Sequence, residues 1–321
     1  MEVKFHLPGL RRNFPINMMY TSLLREHPEF FREGVQIGSF FGEFPTSLWN
    51  GGRNSRGDQC SAEYVDYIIK TVNNMGVPVR FTYTNMLLEE EDLKDVYCNY
   101  CLNSAHNGMN GVILVSPLLE KYIREKYPKM KITSSTCKQI RGIDGVNEEL
   151  RKGYDLVVLD YNLNNHFEEL EKIEDKSRCE ILINAACEPN CPRRGAHYRN
   201  ISENQKILAK NVYLPREKQQ PTNNWECKFC VGADQNVYTI QDFCTYVSPE
   251  AIWEKYVPMG FTNFKIEGRT DNFFVVMEAL SHYLIKPEYQ GMVRIKMLNN
   301  LQALKVISLS HPQPSPFIPR G

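Results

Sequence analysis

The chain has 321 residues, 42% of them hydrophobic and 24% charged, which is the balance of a globular protein and excludes a disordered or fibrous chain. Lysine plus arginine and aspartate plus glutamate both total 38, and this zero net charge argues against a general nucleic-acid coat protein. No apolar run approaches the roughly 20 residues of a membrane-spanning helix, and residues 1–8 lack a signal-peptide core. We therefore expect a cytoplasmic protein with no membrane attachment, whose ten cysteines are packing residues, metal ligands or redox groups rather than disulfides.

One unit recurs along the chain: a helical pattern ends at a glycine, and a short apolar strand follows. Gly34, Gly76 and Gly153 each stand at such a junction. Helices commonly end with a residue in the left-handed conformation, which glycine adopts without steric cost. The apolar runs that follow do not alternate with polar residues, and this is typical of strands buried on both faces of a parallel sheet.

The apolar runs predict eight strands, at residues 3–7, 35–41, 77–83, 111–116, 131–135, 156–161, 180–184 and 261–267. The intervening patterns predict helices at residues 16–31, 62–75, 89–107, 117–126, 147–152, 167–174 and 250–257, with two more at 272–284 and 291–306. Eight strands alternating with helices predict an α/β fold, a closed (β/α)8 TIM-type barrel. An open doubly wound sheet is the alternative, but it normally has fewer strands and a glycine-rich loop after the first.

We predict a single barrel domain over residues 1–310, with a cysteine-rich insertion at residues 187–247 between strands seven and eight. A long insertion inside a compact domain is usually functional. The last residues, 311–321, contain four prolines and are predicted to form an extended or disordered tail.

Two close pairs of cysteines in the insertion predict a metal centre. Cys187 and Cys191 are separated by a turn-forming Pro-Asn sequence, and Cys227 and Cys230 follow in the same insertion. Four thiolates suit a [4Fe-4S] cluster or a tetrahedral zinc ion. A structural zinc site is the plainer alternative, and Cys244 is a further candidate ligand.

The remaining cysteines have simpler interpretations. Cys98 and Cys101 are three apart in a predicted helix and should share a core-facing stripe. Cys179 opens a buried strand and is predicted to pack there. Cys137 ends strand five, so it either packs or replaces one of the proposed ligands at the site.

Charged residues end the eighth strand, where the active sites of such barrels form. Lys265, Glu267 and Arg269 occupy alternate positions and should point toward the barrel mouth together. They are candidate catalytic residues, or alternatively an ion pair that closes the rim. His197 is a candidate acid, base or ligand, although a lone histidine is more often a hydrogen-bonded structural residue.

The segment Phe-Lys-Ile-Glu-Gly-Arg at residues 264–269 resembles the KIEGR element of the collagenase-like peptidase family U32. Residues 180–187 resemble the strand before that family's first cluster cysteines, and the Ser-Pro-Glu of residues 248–250 fits the run leading to the KIEGR element. Asn184-Ala185-Ala186 stands where the peptidase-type signature has His-Gly-Ala, so no substrate is carried over.

This resemblance implies an iron–sulfur enzyme performing oxygen-independent hydroxylation, or a related redox modification, of a small molecule or RNA. Cys187 and Cys191 match the family's cluster positions, and a second U32-like subunit is an implied partner. A metal-dependent peptidase or hydrolase is the alternative, but the sequence lacks a His-Glu-x-x-His pattern and a nucleophile elbow. A non-catalytic barrel with a structural zinc ion is a second alternative. A groove lined by basic residues would favour RNA as the substrate; alternatively, these residues form a solvated face. They are Arg193, Arg194, Arg199 and Lys210.

Overall fold

The eight strands form one closed parallel barrel in chain order, with β8 pairing back to β1. The structure is a computed structural model that describes residues 2–227, 237–268 and 273–307. Its closure confirms the predicted (β/α)8 TIM-type barrel and excludes the open sheet. No helix in the described ranges is both long and apolar enough to cross a membrane.

The strands are β1 Val3–Pro8, β2 Val35–Gly42, β3 Val79–Tyr83, β4 Gly111–Leu114, β5 Lys131–Ser134, β6 Leu156–Val158, β7 Cys179–Leu182 and β8 Asn263–Lys265. The α-helices are α1 Phe14–Glu26, α2 Ala62–Asn74, α3 Val96–Ala105, α4 Pro117–Lys126, α5 Ile143–Arg151, α6 Phe167–Leu170, α7 Arg194–Asn211, α8 Pro249–Ala251, α9 Phe273–Leu284 and α10 Gln290–Ala303. A π-helical turn, Ile252–Tyr256, continues α8.

All eight predicted strands are present, although several are shorter than the apolar runs that predicted them. The run at residues 261–267 is paired only over Asn263–Lys265. Its remaining apolar residues, Phe261 and Ile266, are fully buried without extending the ladder, so burial alone overestimates strand length. The predicted tail at residues 311–321 lies outside the described residues.

The helix predicted over residues 89–107 is divided in two at Asp95. A 3-10 segment, Glu90–Lys94, precedes α3, and the Asp95 carboxylate accepts a hydrogen bond from the Cys98 backbone N–H at 2.7 Å. This is an N-cap, which starts a new helix by satisfying one of its unpaired N–H groups. Cys98 and Cys101 are fully buried, which confirms them as core residues.

Helix α7 has 18 residues, and the sequence analysis did not predict it. Its buried face mixes polar residues such as Ser202 and Gln205 with apolar ones such as Tyr198 and Ile201, so its apolar periodicity is weak. The Gln205 amide bonds both the N–H and the C=O of Ser55, at 2.8 and 3.2 Å, and the Ser202 carbonyl accepts from Asn85 at 3.1 Å. Hydrogen bonds therefore dock α7 against the loops at the end of the barrel.

One side of the barrel interior is charged rather than apolar. Glu180 on β7 is fully buried, and its carboxylate lies 2.6 Å from Arg80, 3.3 Å from Lys265 and 3.4 Å from His6. The His6 ring and the Arg80 guanidinium both contact the Ser39 hydroxyl at 2.8 Å. We call these five residues the interior network; they connect strands β1, β2, β3, β7 and β8.

A register shift between β1 and β2 lets His6 enter the interior network. Phe5 is paired with Ile37 but His6 with Ser39, so Gly38 is left as an extra residue. A Cβ atom at Gly38 would lie 2.7 Å from the His6 ring. Only glycine allows the two strands to approach closely enough for the His6–Ser39 contact.

The interior network contains one carboxylate and a neutral histidine. Burial and the nearby charge of Arg80 together lower the pKa of His6 to about 3. Burial alone would raise the pKa of Glu180, but Arg80 and Lys265 more than offset this and hold it well below its usual range. The network at neutral pH therefore consists of two cations, one anion and an uncharged ring.

Acidification is expected to destabilise the protein through His6. The unfolded chain takes up a proton below the ordinary histidine pKa of 6.5, whereas the folded chain resists protonation down to about 3. The stabilisation that His6 contributes is thus fully present above pH 6.5 and is lost as the pH falls. At pH 5 this residue alone lowers the free energy of unfolding by about 2 kcal/mol. Urea unfolding at pH 7 and pH 5 measures the difference. The free energy of unfolding of His6→Gln should depend less on pH than that of the wild type. The control His166→Gln, at an exposed position, should keep the wild-type dependence. Equal pH dependence in all three proteins would contradict the assignment.

Candidate active site

A cavity of about 390 Å³ opens at the carboxyl ends of the strands, within the volume range of small-molecule sites. Helix α7 forms one wall of the cavity. Every strand from β2 to β8 supplies a lining residue from its end or from the loop after it: Phe41, Thr82, Ile113, Ser135, Tyr161, Leu182 and Lys265. This is the end of a (β/α)8 barrel at which active sites form.

Glu267 lines the cavity in an ion pair with Arg53. The Glu267 carboxylate also accepts from the Ala186 backbone N–H at 3.1 Å. The Asn184 amide bonds both the backbone N–H and the backbone C=O of Glu267, at 2.6 and 3.2 Å. The end of β8 is therefore fixed to the end of β7. The amide of Asn184 therefore has a structural function here.

The loop that carries Arg53 passes unusually close to the end of β3. A Cβ atom at Gly51 would lie 2.3 Å from the Thr84 carbonyl oxygen, so this position admits no side chain. The Asn50 amide also donates to the Arg53 carbonyl at 2.8 Å. These contacts hold the Arg53 guanidinium over the cavity opposite Glu267.

Lys265 connects the cavity to the interior network beneath it. Its ammonium group lies 3.3 Å from Glu180 and 4.2 Å from the centre of the Phe41 ring. A cation above an aromatic face is stabilised by the ring quadrupole. The Lys265 side chain therefore lies between the barrel interior and the cavity floor.

Arg194 and Asp160 form a buried ion pair that the sequence analysis did not predict. Their side chains are 2% and 0% exposed, and the guanidinium binds the carboxylate through both terminal nitrogens. Arg194 also lies over the Tyr161 ring, 4.5 Å from its centre. Arg194 belongs neither to a basic groove nor to a solvated face, because its charge is neutralised inside the protein. The available signal was Asp160 at the end of a buried strand.

Cys187 and Cys191 lie on a tight turn beside the cavity. Asn190 adopts the left-handed conformation, with φ of 55°, and its backbone N–H donates to Asn162 at 2.8 Å. Cys187 is half-buried and lines the cavity, whereas Cys191 is buried. Burial raises the pKa of Cys187; the Tyr161 hydroxyl opposes this shift, and Cys191 reinforces it. The two thiols are therefore close enough to influence each other.

Trp225 attaches the chain before Cys227 to helix α7. Its indole ring stacks on His197, with 5.0 Å between ring centres, and the Arg193 guanidinium lies 4.4 Å from the Trp225 ring. Arg193 also donates to the Glu226 carbonyl at 2.7 Å, directly before Cys227. These contacts attach the residues before Cys227 to the first turns of α7.

His197 lines the cavity as a neutral ring. Burial and the positive charges of Arg53 and Arg193 together lower its pKa to about 4. At physiological pH the ring can accept a proton or a hydrogen bond, but it is not a cation. Its stacking on Trp225 also gives it a structural function.

The structure thus brings Cys187, His197, Lys265 and Glu267 to one cavity. Cys230 and Arg269 lie outside the described residues. Within the described ranges, no three histidine, cysteine or acidic side chains converge as a metal site, so Cys227 does not complete a group with the first pair. Two other cysteines have different environments: Cys244 is exposed, and Cys137 lines the cavity while packing against Tyr198 and Ile201.

A family model and a solved structure match this chain. The model of peptidase family U32 matches residues 51–286, which include β3 to β8 and most of the cavity lining. The chain belongs to peptidase family U32. Among solved structures, this U32 protein is similar to the U32 peptidase Mk0906, with 13% identity, a TM-score of 0.48, and coverage of 83% of this chain and 92% of that one. No curated protein matches it.

Proposed function

We propose that this U32 protein is an iron–sulfur enzyme that performs oxygen-independent hydroxylation, or a related redox modification, of a small molecule or RNA. The cluster would be held by Cys187, Cys191, Cys227 and Cys230. The observation that carries the proposal is the position of Cys187, which lines the barrel-end cavity, with Cys191 on the same turn and close enough to raise its pKa.

The described residues fit half of a four-thiolate set. Cys187 and Cys191 form one pair, and the stacking of Trp225 holds the backbone leading to Cys227 on the same face. Soft thiolates are the preferred ligands of iron–sulfur clusters. Since burial raises the pKa of Cys187, cluster binding must supply the free energy to deprotonate it, which is the usual coupling of metal binding to proton release.

A bound cluster would supply electron transfer and a Lewis-acidic iron. The net change would replace a substrate C–H by C–OH, with an organic hydroxyl donor supplying the oxygen and taking the hydrogen. Glu267 and Lys265 line the cavity floor and rim, and neutral His197 can accept a proton from a bound hydroxyl group. Arg269, the next charged residue along the chain, would contribute to the same rim.

Anaerobic purification with iron, sulfide and zinc analysis tests the proposal. We expect about four irons per chain and broad absorbance near 400 nm, as thiolate-ligated clusters show. The double variant Cys187→Ala, Cys191→Ala should lose both signals and remain folded, and the half-buried control Cys60→Ala should keep them. A full cluster in the double variant would contradict the ligand assignment. One zinc and no colour would instead support a structural zinc site.

A further inference from the structure

A groove of about 520 Å³ lies on the outside of the barrel, between helices α1, α2 and α10. It follows the whole length of α1, because Phe14 and Glu26, the first and last residues of that helix, both line it. The groove shares no lining residue with the barrel-end cavity. It is therefore a separate surface feature, and none of the proposed cluster ligands belongs to it.

The groove presents large apolar side chains to solvent. Tyr67 on α2 and Leu304 at the end of α10 are 57% and 62% exposed, and both line the groove. Met18, Met19 and Met297 line it as well. Apolar side chains gathered in one depression mark a binding surface, and flexible thioether chains adapt to an irregular partner. The groove is therefore suited to an apolar peptide segment.

The chain turns back toward this groove where α10 ends. Lys305 adopts the left-handed conformation, with φ of 56°, and the N–H groups of Val306 and Ile307 both donate to the Leu301 carbonyl, at 2.9 and 3.4 Å. Such a C-cap reverses the direction of the chain after a helix. Leu304 and Val306 become part of the groove wall as a result. The residues after Ile307 therefore start at the groove itself.

We propose that the groove holds the segment of this chain that follows Ile307, residues 308–321. Leu309 and the pair Phe317–Ile318 are its large apolar residues, and Pro312, Pro314 and Pro316 separate them. Prolines favour the extended polyproline II conformation, which reduces the conformational entropy lost on docking. Aromatic-lined grooves commonly bind such segments, and Phe14 and Tyr67 provide the aromatic rings here.

The length of the segment matches the length of the groove. Leu309 and Phe317 are about 25 Å apart in polyproline II geometry, at about 3.1 Å per residue. Helix α1 has 13 residues and is about 20 Å long, at 1.5 Å per residue. The two apolar anchors can therefore occupy opposite ends of the groove at the same time.

Covalent attachment favours the chain's own segment over that of a second copy. Three positions separate Val306, in the groove wall, from Leu309. A short tether holds a ligand near its site at an effective concentration of about millimolar, far above a micromolar protein solution. We therefore expect the groove to be filled within each chain.

Methionine oxidation of the full-length protein tests whether the groove is covered. The triple variant Leu309→Ser, Phe317→Ser, Ile318→Ser removes the apolar anchors. Under hydrogen peroxide, Met18 and Met19 should oxidise at least about threefold faster in this variant than in the wild type, by peptide mass spectrometry. Met292, which is 46% exposed and lies outside the groove, should oxidise at the same rate in both proteins.

A second triple variant, Ser308→Ala, Ser310→Ala, Ser315→Ala, is the matched control. It changes the same segment and keeps the apolar anchors, so Met18 and Met19 should retain their wild-type rates. Equal rates for these two methionines in the wild type and the anchor variant would overturn the proposal. So would a faster rate that Met292 shares, because it would report general loosening of the fold.

A photo-crosslinking residue at position 317 identifies the occupant directly. With p-benzoylphenylalanine in place of Phe317, illumination should join this position to a peptide of α1, α2 or α10 within a product of monomer mass. Crosslinks that mainly join two chains would assign the groove to a second copy and overturn the proposal. Crosslinks to other surfaces, or no crosslink, would also overturn it.

Discussion

Glu180→Gln is expected to destabilise the barrel by about 3–5 kcal/mol, because it leaves buried cations without their counterion. Arg80 and Lys265 share this one carboxylate at 2.6 and 3.3 Å, and the His6 ring contributes no charge. Glutamine keeps the shape of the side chain and loses only its charge. Urea-induced unfolding followed by circular dichroism measures the difference.

Glu278→Gln is the matched control for this measurement. Glu278 pairs with Arg294 at 2.9 Å, but both side chains are about a quarter exposed. Solvent screens such a pair, so the control should lose no more than about 1 kcal/mol. If the two variants lost the same free energy of unfolding, the charge of Glu180 would not be what stabilises the interior.

Asp160→Asn is expected to cost about 3–5 kcal/mol and to reduce cluster retention as well. The variant leaves the Arg194 guanidinium buried with no carboxylate. Arg194 is the first residue of α7, three residues after Cys191, so its displacement would also move the cysteine turn. The free energy of unfolding and the iron content, measured on the same preparation, report the two effects.

Asp175→Asn controls for the loss of an aspartate charge in a surface pair. Asp175 and Arg178 are 2.7 Å apart, and both are more than a third exposed. This variant should change stability by about 1 kcal/mol or less and leave the iron content unchanged. A stable Asp160→Asn protein with full iron content would show that the buried pair positions neither α7 nor the cysteines.

Local patterns were sufficient to predict the barrel. Each strand is a short apolar run whose signal does not depend on the rest of the chain, and glycines such as Gly34 and Gly76 adopt positive φ where the chain turns, at 74° and 69°. Helices with an apolar stripe, such as α2, were equally predictable from the sequence. Helix α7 was not predicted, because polar residues such as Ser202 and Gln205, whose partners lie far away in the sequence, interrupt the apolar residues of its buried face.

The candidate site was predictable where residues follow a strand and not where they depend on a distant partner. Lys265 and Glu267 were identified because charges at the end of a buried strand are unusual. Their partners Glu180 and Arg53 were not, because an ion pair between residues 85 or 214 positions apart leaves no local pattern.

The interior network also determines when the fold can become complete during synthesis. Its members come from the first three strands and the last two, and the His6 ring contacts Asn263 across 257 positions of chain. A nascent chain that has not yet released β8 contains Arg80 and Glu180 but lacks the lysine that shares the carboxylate. Contacts of such long range slow folding, because the chain must close a large loop before they form. The first three strands therefore cannot complete their contacts in the barrel interior until β8 has been synthesised.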